Sequence, residues 1–338
     1  MSKHKITSIA LLSATTCFFS HLFAEEANTH TTAYTQKKAE HHKSSTNPMD
    51  TKSDTSFTAG ASYTFWAPYI IGSGMAYGTG TPTIKGNTIH PSLNAVSGFK
   101  AMLGANLNHD DWNVKARYTW FFHDPTTQRG KTSTDFQYAG RNGTLAIVDS
   151  LDSRYFIFFN RVDLYLNKCM QYSNYTKISP WMGLLGAWDN HSLNIDSEVN
   201  IDATDATVDG HLKQQWWSIG PYGGAELCYN FTDSLGLYLS SGAALLLAEH
   251  HAYSTGDNTL LGFMGNNVNK VYNVETMFET SLGMRWKKVG ESMTFGASIA
   301  WEIQTYFEHI DLPFFKNIVQ SYGNYSMQGL TASVEANF

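Results

Sequence analysis

Long apolar runs are missing from this chain. Beyond the first two dozen residues no stretch of about 18 apolar residues occurs, which excludes a protein that crosses a membrane on helices. Charge is scarce as well: 15% of the residues are Asp, Glu, Lys or Arg, fewer than a typical cytosolic enzyme carries. There is no basic stripe and no nucleic-acid motif, and the formal net charge is -6, so nucleic acid is not expected as a partner. Proline is rare, with 8 residues in 338. What the chain has in quantity is aromatic side chains, at 14%, and glycine, with 27 residues. That is too aromatic for a disordered chain.

The N-terminus reads as an export signal. "MSKHK" is a short basic segment, "ITSIALLSATTCFFSHLFA" an apolar one, and Ala24 before Glu25 offers a small residue for cleavage. Residues 1–24 are therefore expected to be a signal peptide. Its loss takes away Lys3 and Lys5, leaving 21 basic and 29 acidic residues, a net charge of -8. Residues 25–55 are rich in Thr, Ser, Lys, His and Glu with almost no large apolar side chain, and read as a disordered periplasmic leader.

From Ser56 onward apolar residues recur with period two. Phe57, Ala59, Ala61, Tyr63 and Phe65 alternate with Thr58, Gly60, Ser62 and Thr64, and Val114, Ala116, Tyr118, Trp120 and Phe122 with Lys115, Arg117, Thr119 and Phe121. The segments run to ten residues or more, longer than soluble sheets usually use, and match the 9 to 11 tilted residues of a membrane-spanning strand. Aromatic clusters such as Trp120-Phe121-Phe122 and Trp216-Trp217 fall near strand ends, where an interfacial girdle needs them. Connections alternate between short polar turns, at 109–111, 173–175, 232–234 and 290–292, and long loops.

The pattern predicts an all-β, antiparallel transmembrane barrel over residues 56–338. About ten strands are expected, with eight or twelve as alternatives: 56–66, 97–108, 111–123, 154–168, 176–189, 211–231, 235–250, 270–287, 293–307 and 324–338. Closure of such a barrel removes the unpaired edges that hydrocarbon cannot solvate. The short turns then face the periplasm and the long loops, near 67–96, 125–153, 190–210, 251–269 and 308–323, face outward. The chain closes on "GLTASVEANF", alternating up to Phe338. This resembles the last-strand signal of bacterial outer-membrane proteins, so Phe338 is expected to be read by the barrel-assembly machinery through strand addition.

The opening strand "FTAGASYTFWAPY", the central "RVDLYLNKCMQYSNYTKISPWMGLLGAW" and "PYGGAELCYNFTDSLGLYLSSGAALLL", and the closing "GLTASVEANF" together resemble the major outer membrane protein family of Legionella and Chlamydia-related bacteria. The resemblance spans about residues 56–338. It implies a pore-forming surface porin and carries over no catalytic residue.

Inward phase falls on Lys100, Lys115, Arg117, Arg161, Asp163, Glu226, Glu275, Glu279, Arg285, Glu302 and Glu335, five basic and six acidic groups expected to line the lumen. Charges there must be wetted or paired. One reading is a narrow passive channel for ions and small hydrophilic solutes. The other is a salt-bridged barrel without useful conductance, acting as a structural protein or an adhesin. Outer-membrane lipid is the surrounding partner, and assembly into a homo-oligomer stays open.

Four strand ends carry histidine beside polar or acidic residues: His123-Asp124, Asp189-Asn190-His191, Glu249-His250-His251 and Glu308-His309. Such groups could bind a transition metal or act as general bases. Ten-stranded outer-membrane proteases place Asp and His pairs at that level, which invites comparison with Asp189 and His191. The surrounding aromatic and acidic signature of that family is missing, and an ordinary polar rim is the expectation, with no catalytic residue, metal or cofactor. In the acidic segment 189–211 the alternation of Leu193, Ile195, Val199 and Ile201 suggests strands projecting past the membrane. Cys169 and Cys228 sit on strands separated by one other, about 9 to 10 Å apart, beyond the roughly 7 Å a disulfide spans. Free thiols or a bridge to another chain are expected.

Overall fold

Ten antiparallel strands pair with their sequence neighbours, and the last returns to the first. The computed structural model describes residues 56–71, 75–76, 88–89, 93–107, 112–124, 128–131, 137–139, 145–201, 204–256, 267–313 and 320–338. The expected signal peptide and polar leader lie outside them. The wall is made of β1 (Phe57–Ile71), β2 (Val96–Asn106), β3 (Trp112–His123), β4 (Leu145–Lys168), β5 (Thr176–Ile201), β6 (Thr204–Asn230), β7 (Leu235–Gly256), β8 (Asn267–Val289), β9 (Thr294–Pro313) and β10 (Gln320–Asn337). Pairing of β1 with β10 closes the ring. At the seam Phe57 and Phe338 exchange both backbone hydrogen bonds, at 2.8 and 3.0 Å. Short strands flank the wall, among them Gln128–Lys131 and Gln137–Ala139 against the outer part of β4.

The register fixes the barrel's dimensions. Stepping sideways from Thr58 leads through Gly104, Lys115, Tyr165, Gly183, Tyr222, Ala244, Met277, Tyr306 and Tyr325 back to β1 at Ile70. The return lies 12 residues beyond the start. With strands about 4.8 Å apart and tilted about 40°, ten of them form a backbone cylinder of roughly 10 Å radius. That is narrow enough for long side chains on opposite strands to meet.

Period two decides which residues meet. Leu103, Leu282, Ile299, Trp301 and Val334 lie exposed on the outside, whereas Lys100, Thr119, Arg161, Asp163, Glu275 and Glu279 are buried inside. This inversion of the soluble pattern is what a lipid-facing wall requires. Between Ser173 and Thr176 a serine hydroxyl accepts from the backbone N–H groups of Tyr175 and Thr176, at 3.2 and 3.1 Å. Thr232 does the same for Ser234 and Leu235, at 3.2 and 3.0 Å. These local bonds explain why Ser and Thr open the tight turns.

Several strands run further than the alternation suggested. β5 and β6 hold 26 and 27 residues and continue through most of the expected loop 190–210 as one ladder from Thr176↔Tyr229 to Ile201↔Thr204. At about 3.3 Å per residue β6 is roughly 90 Å long, far more than a tilted strand needs to cross an apolar band about 25 Å tall. The hairpin therefore projects beyond the membrane, as the alternation of Leu193 to Ile201 suggested. β9 likewise reaches Pro313, past a register shift between Tyr306 and Ile310.

Candidate functional site

Three layers occupy the interior. The end bearing the short turns opens into a cavity of about 460 Å³. Its walls include Lys100, Lys115, Arg117, Glu226, Glu279, Arg285, Glu302 and Glu335, with six serines, Ser62, Ser179, Ser240, Ser281, Ser298 and Ser333. Eight of the eleven charged residues singled out from the sequence thus line one cavity. Arg285 and Glu226 form a bidentate pair there, at 2.7 and 2.8 Å. Cys169 lies on the same wall, and it and Cys228 are both free thiols.

The cavity ends at a layer of ion pairs. Arg117 donates from Nε to Asp163 at 2.7 Å, and Arg161 from Nε to the other oxygen of Asp163 at 2.6 Å. Arg161 also reaches Glu279 at 2.5 Å and Arg117 lies 3.4 Å from the same carboxylate. Two guanidinium groups and two carboxylates thereby neutralise one another, and Tyr222 donates a further hydrogen bond to Glu279. β3, which carries Arg117, and β8, which carries Glu279, stand five places apart in a ring of ten. The pair crosses the full width of the barrel. Beside it Lys100 binds Glu302 at 2.6 Å, and Glu302 accepts from Thr331, which accepts from the Trp66 indole.

Above this layer the interior is filled by buried side chains. Trp66, Phe121, Tyr155, Phe159, Trp216, Tyr306 and Tyr325 belong to one buried cluster. Phe159 on β4 meets Tyr306 and Tyr325 on β9 and β10, with ring centroids 5.8 and 6.2 Å apart. Buried charge without partners would be costly at this depth, yet carboxylates and imidazoles lie among the rings. Asp189, His191 and His309 have fully buried side chains, and both imidazoles bond to one oxygen of Asp189, at 2.8 and 2.7 Å. Glu275 lies 3.3 Å from His309 and accepts from His250 and from the Trp216 indole.

Glu275 therefore belongs to this upper cluster and is absent from the cavity walls, unlike Glu279 four residues along the same strand. The expected polar rim divides in two. His250, His191 and His309 turn inward and are buried, whereas His251 and Glu249 stay partly exposed, with Glu249 bonded to His251 at 2.5 Å and to Lys270 at 2.8 Å. His123 is buried too, with Nδ1 3.2 Å from the Tyr155 carbonyl. The i, i+2 spacing of Asp189 and His191 was the available signal that both share a face. Nothing in the spacing around His309 announced its direction. With no exposure, Asp189 and His191 cannot meet a peptide in this conformation, which removes the support for a protease.

The family model described as "Legionella pneumophila major outer membrane protein precursor" matches residues 18–338. The chain belongs to this family. As its barrel and outward apolar belt require, it is a bacterial outer-membrane protein. No curated protein matches it. Among solved structures it is similar to the outer membrane protease OmpT from Escherichia coli, with 12% identity, 87% of this chain and 100% of that chain covered, and a TM-score of 0.45. It is also similar to a major outer membrane protein from Thermus thermophilus, with 9% identity, coverage of 84% and 100%, and a TM-score of 0.31. A Pseudomonas aeruginosa FadL homologue follows, with 10% identity, coverage of 84% and 90%, and a TM-score of 0.25.

Proposed function

We propose that this barrel is a narrow passive channel for ions and small hydrophilic solutes, shut in the conformation described by the layer around Arg161 and the aromatic cluster above it. The observation that carries the reading is the cavity of about 460 Å³, which runs from the turn end to Arg117 and Glu279 and is lined by charges of both signs. Short turns mark that end as periplasmic. The closure consists of side chains alone, the ion pairs of Arg117 and Arg161 and the rings packed above them, so these can rearrange without breaking a strand ladder. Opposed charges along a lumen then bias which ion passes more easily. The terminal strand with Phe338 is proposed to be the segment taken up by the assembly machinery.

Recording from the refolded protein in planar bilayers tests the channel. Discrete conductance steps separated by long closed intervals are expected. Silence across independent preparations that are demonstrably inserted would favour the second reading, a structural or adhesive barrel. That reading draws its support from the buried Phe159, Tyr306 and Tyr325 packed above the ion pairs.

A further inference from the structure

β9 contains a local irregularity whose effect is to aim one side chain. Glu302, Gln304 and Tyr306 share a face, so unbroken alternation would bring residue 308 inward and leave 309 outside. Instead the register shifts between Tyr306 and Ile310, and Glu308 adopts φ 59°. Glu308 is exposed, and His309 has no exposure at all. A positive φ at a residue other than glycine is uncommon and strained, and bulges recur where a strand must re-aim a side chain towards a functional site.

The re-aimed imidazole enters a prepared arrangement. Nε2 of His309 and Nε2 of His191 both point at Asp189, and the candidate donor atoms of the three residues lie within 4.8 Å of one another. Behind each ring the other nitrogen is held by an oxygen. His191 Nδ1 is 2.9 Å from the Tyr155 hydroxyl, and His309 Nδ1 is 3.3 Å from Glu275. Glu275 is fixed in turn by Trp216, at 3.1 Å, and by His250. Gln214 donates to the His309 carbonyl at 2.8 Å, which orients its amide so that the same nitrogen also donates to His250 Nδ1 at 3.0 Å. His250 must then offer its Nε2 hydrogen to Glu275. Histidines backed by carboxylate and hydroxyl oxygens, with their Nε2 atoms converging beside a carboxylate, are the usual surroundings of a bound metal ion.

A second observation points the same way. The remaining oxygen of Asp189, Oδ1, is buried and has no hydrogen-bond partner among the described residues. Leaving such an oxygen unmatched away from water is costly, and a cation supplies what no neighbouring donor does.

We propose that Asp189, His191 and His309 bind one first-row divalent transition ion, zinc being the best match, within the upper half of the barrel. Two imidazole nitrogens and one carboxylate, which can engage the ion with both oxygens, are donors suited to zinc, and three protein ligands leave a further position open. The ion replaces the hydrogens that the two Nε2 atoms now give to Asp189. Because metal–ligand bonds of about 2.0–2.2 Å place tetrahedral donors roughly 3.4 Å apart, the carboxylate shifts by about half an ångström from its present contacts. Bound there, the ion ties β5 to β9, four places apart around the ring.

The test uses the full mature chain refolded with and without Zn²⁺ or Co²⁺, with His30, His41 and His42 of the leader changed to Ala so that the leader contributes no imidazole. One equivalent of ion is expected to remain after dialysis, with Co²⁺ giving the intense visible bands of a low-coordinate N/O site and Zn²⁺ displacing it. Asp189→Asn and His309→Ala should each weaken binding by at least about 100-fold, and Glu275→Gln by about 10- to 100-fold through its hold on His309. His251→Ala, on the outer face, should change nothing. X-ray absorption on the wild-type zinc form reads the ligands without any variant, so a failure of His309→Ala to fold leaves the test intact. Folded wild-type protein that retains no ion, or an ion whose ligands are not two imidazoles and a carboxylate, overturns the proposal.

Discussion

Around the lower cavity the inward positions are serines and paired charges, and above Arg161 they are Tyr155, Phe159, Trp216, Tyr306 and Tyr325. Both regions rest on the same strands with the same alternation and the same radius, so backbone geometry does not separate them. Side-chain volume does. Serine leaves room for water that keeps Arg285 and Glu226 solvated, while aromatic rings fill a cylinder of this width and exclude it. The charges respond accordingly. In the lower half they occur as a half-exposed pair, and in the upper half carboxylates and imidazoles are bonded on several sides. A barrel of ten strands can thus be wet at one end and packed at the other, with the ion-pair layer as the boundary.

The sharpest way to break this comparison is to remove the boundary. Arg161→Ala leaves Asp163 and Glu279 without their buried partner and should cost about 3–5 kcal/mol, read from urea unfolding in lipid by tryptophan fluorescence. Any protein that still inserts should conduct more readily than wild type. The outer wall gives the next effect. Leu282→Arg puts a charge into hydrocarbon and should cost about 2–4 kcal/mol if it lies near the membrane midplane, whereas Ser281→Asn, one residue away and facing the cavity, should be nearly neutral. A smaller effect is expected at Glu226→Gln, which breaks a partly exposed pair and should change stability by less than about 1 kcal/mol.

Selectivity sharpens the contrast between the halves further. Glu302 and Glu335 border the cavity, so changing both to Gln should shift the reversal potential in a salt gradient towards anions. Glu275→Gln, in the packed half, should leave the reversal potential where it is. An equal shift from either change would mean that Glu275 meets the passing ions as directly as the cavity carboxylates do.

The sequence made the wall legible because lipid on one side and side chains on the other impose period two on every spanning segment. Strand number, strand order and the direction of Arg161, Glu279 and Leu282 follow from that single constraint. Strand ends did not follow so closely, because beyond the membrane the outer face no longer has to be apolar, and the alternation of Leu193 to Ile201 pointed to a projecting hairpin without marking where β5 and β6 end. Contacts across the lumen were also hidden. Facing inward fixes a residue's side but not its height relative to a strand five places away, which depends on the accumulated 12-residue offset of the ring. His309 was the hardest case, since a bulge reverses the face that alternation assigns and nothing in "YFEHI" marks it.

Thiol labelling tests the division of the interior most directly. In a background of Cys17→Ser, Cys169→Ser and Cys228→Ser, single cysteines are placed at Ser281, on the cavity wall, and at Ser218, which is inward and 3% exposed beside the aromatic cluster. The protein is inserted in lipid and exposed to a charged thiol reagent. Rapid modification at Ser281→Cys with protection at Ser218→Cys is the predicted result. Comparable rates at the two positions would contradict a wet lower half and a dry upper half.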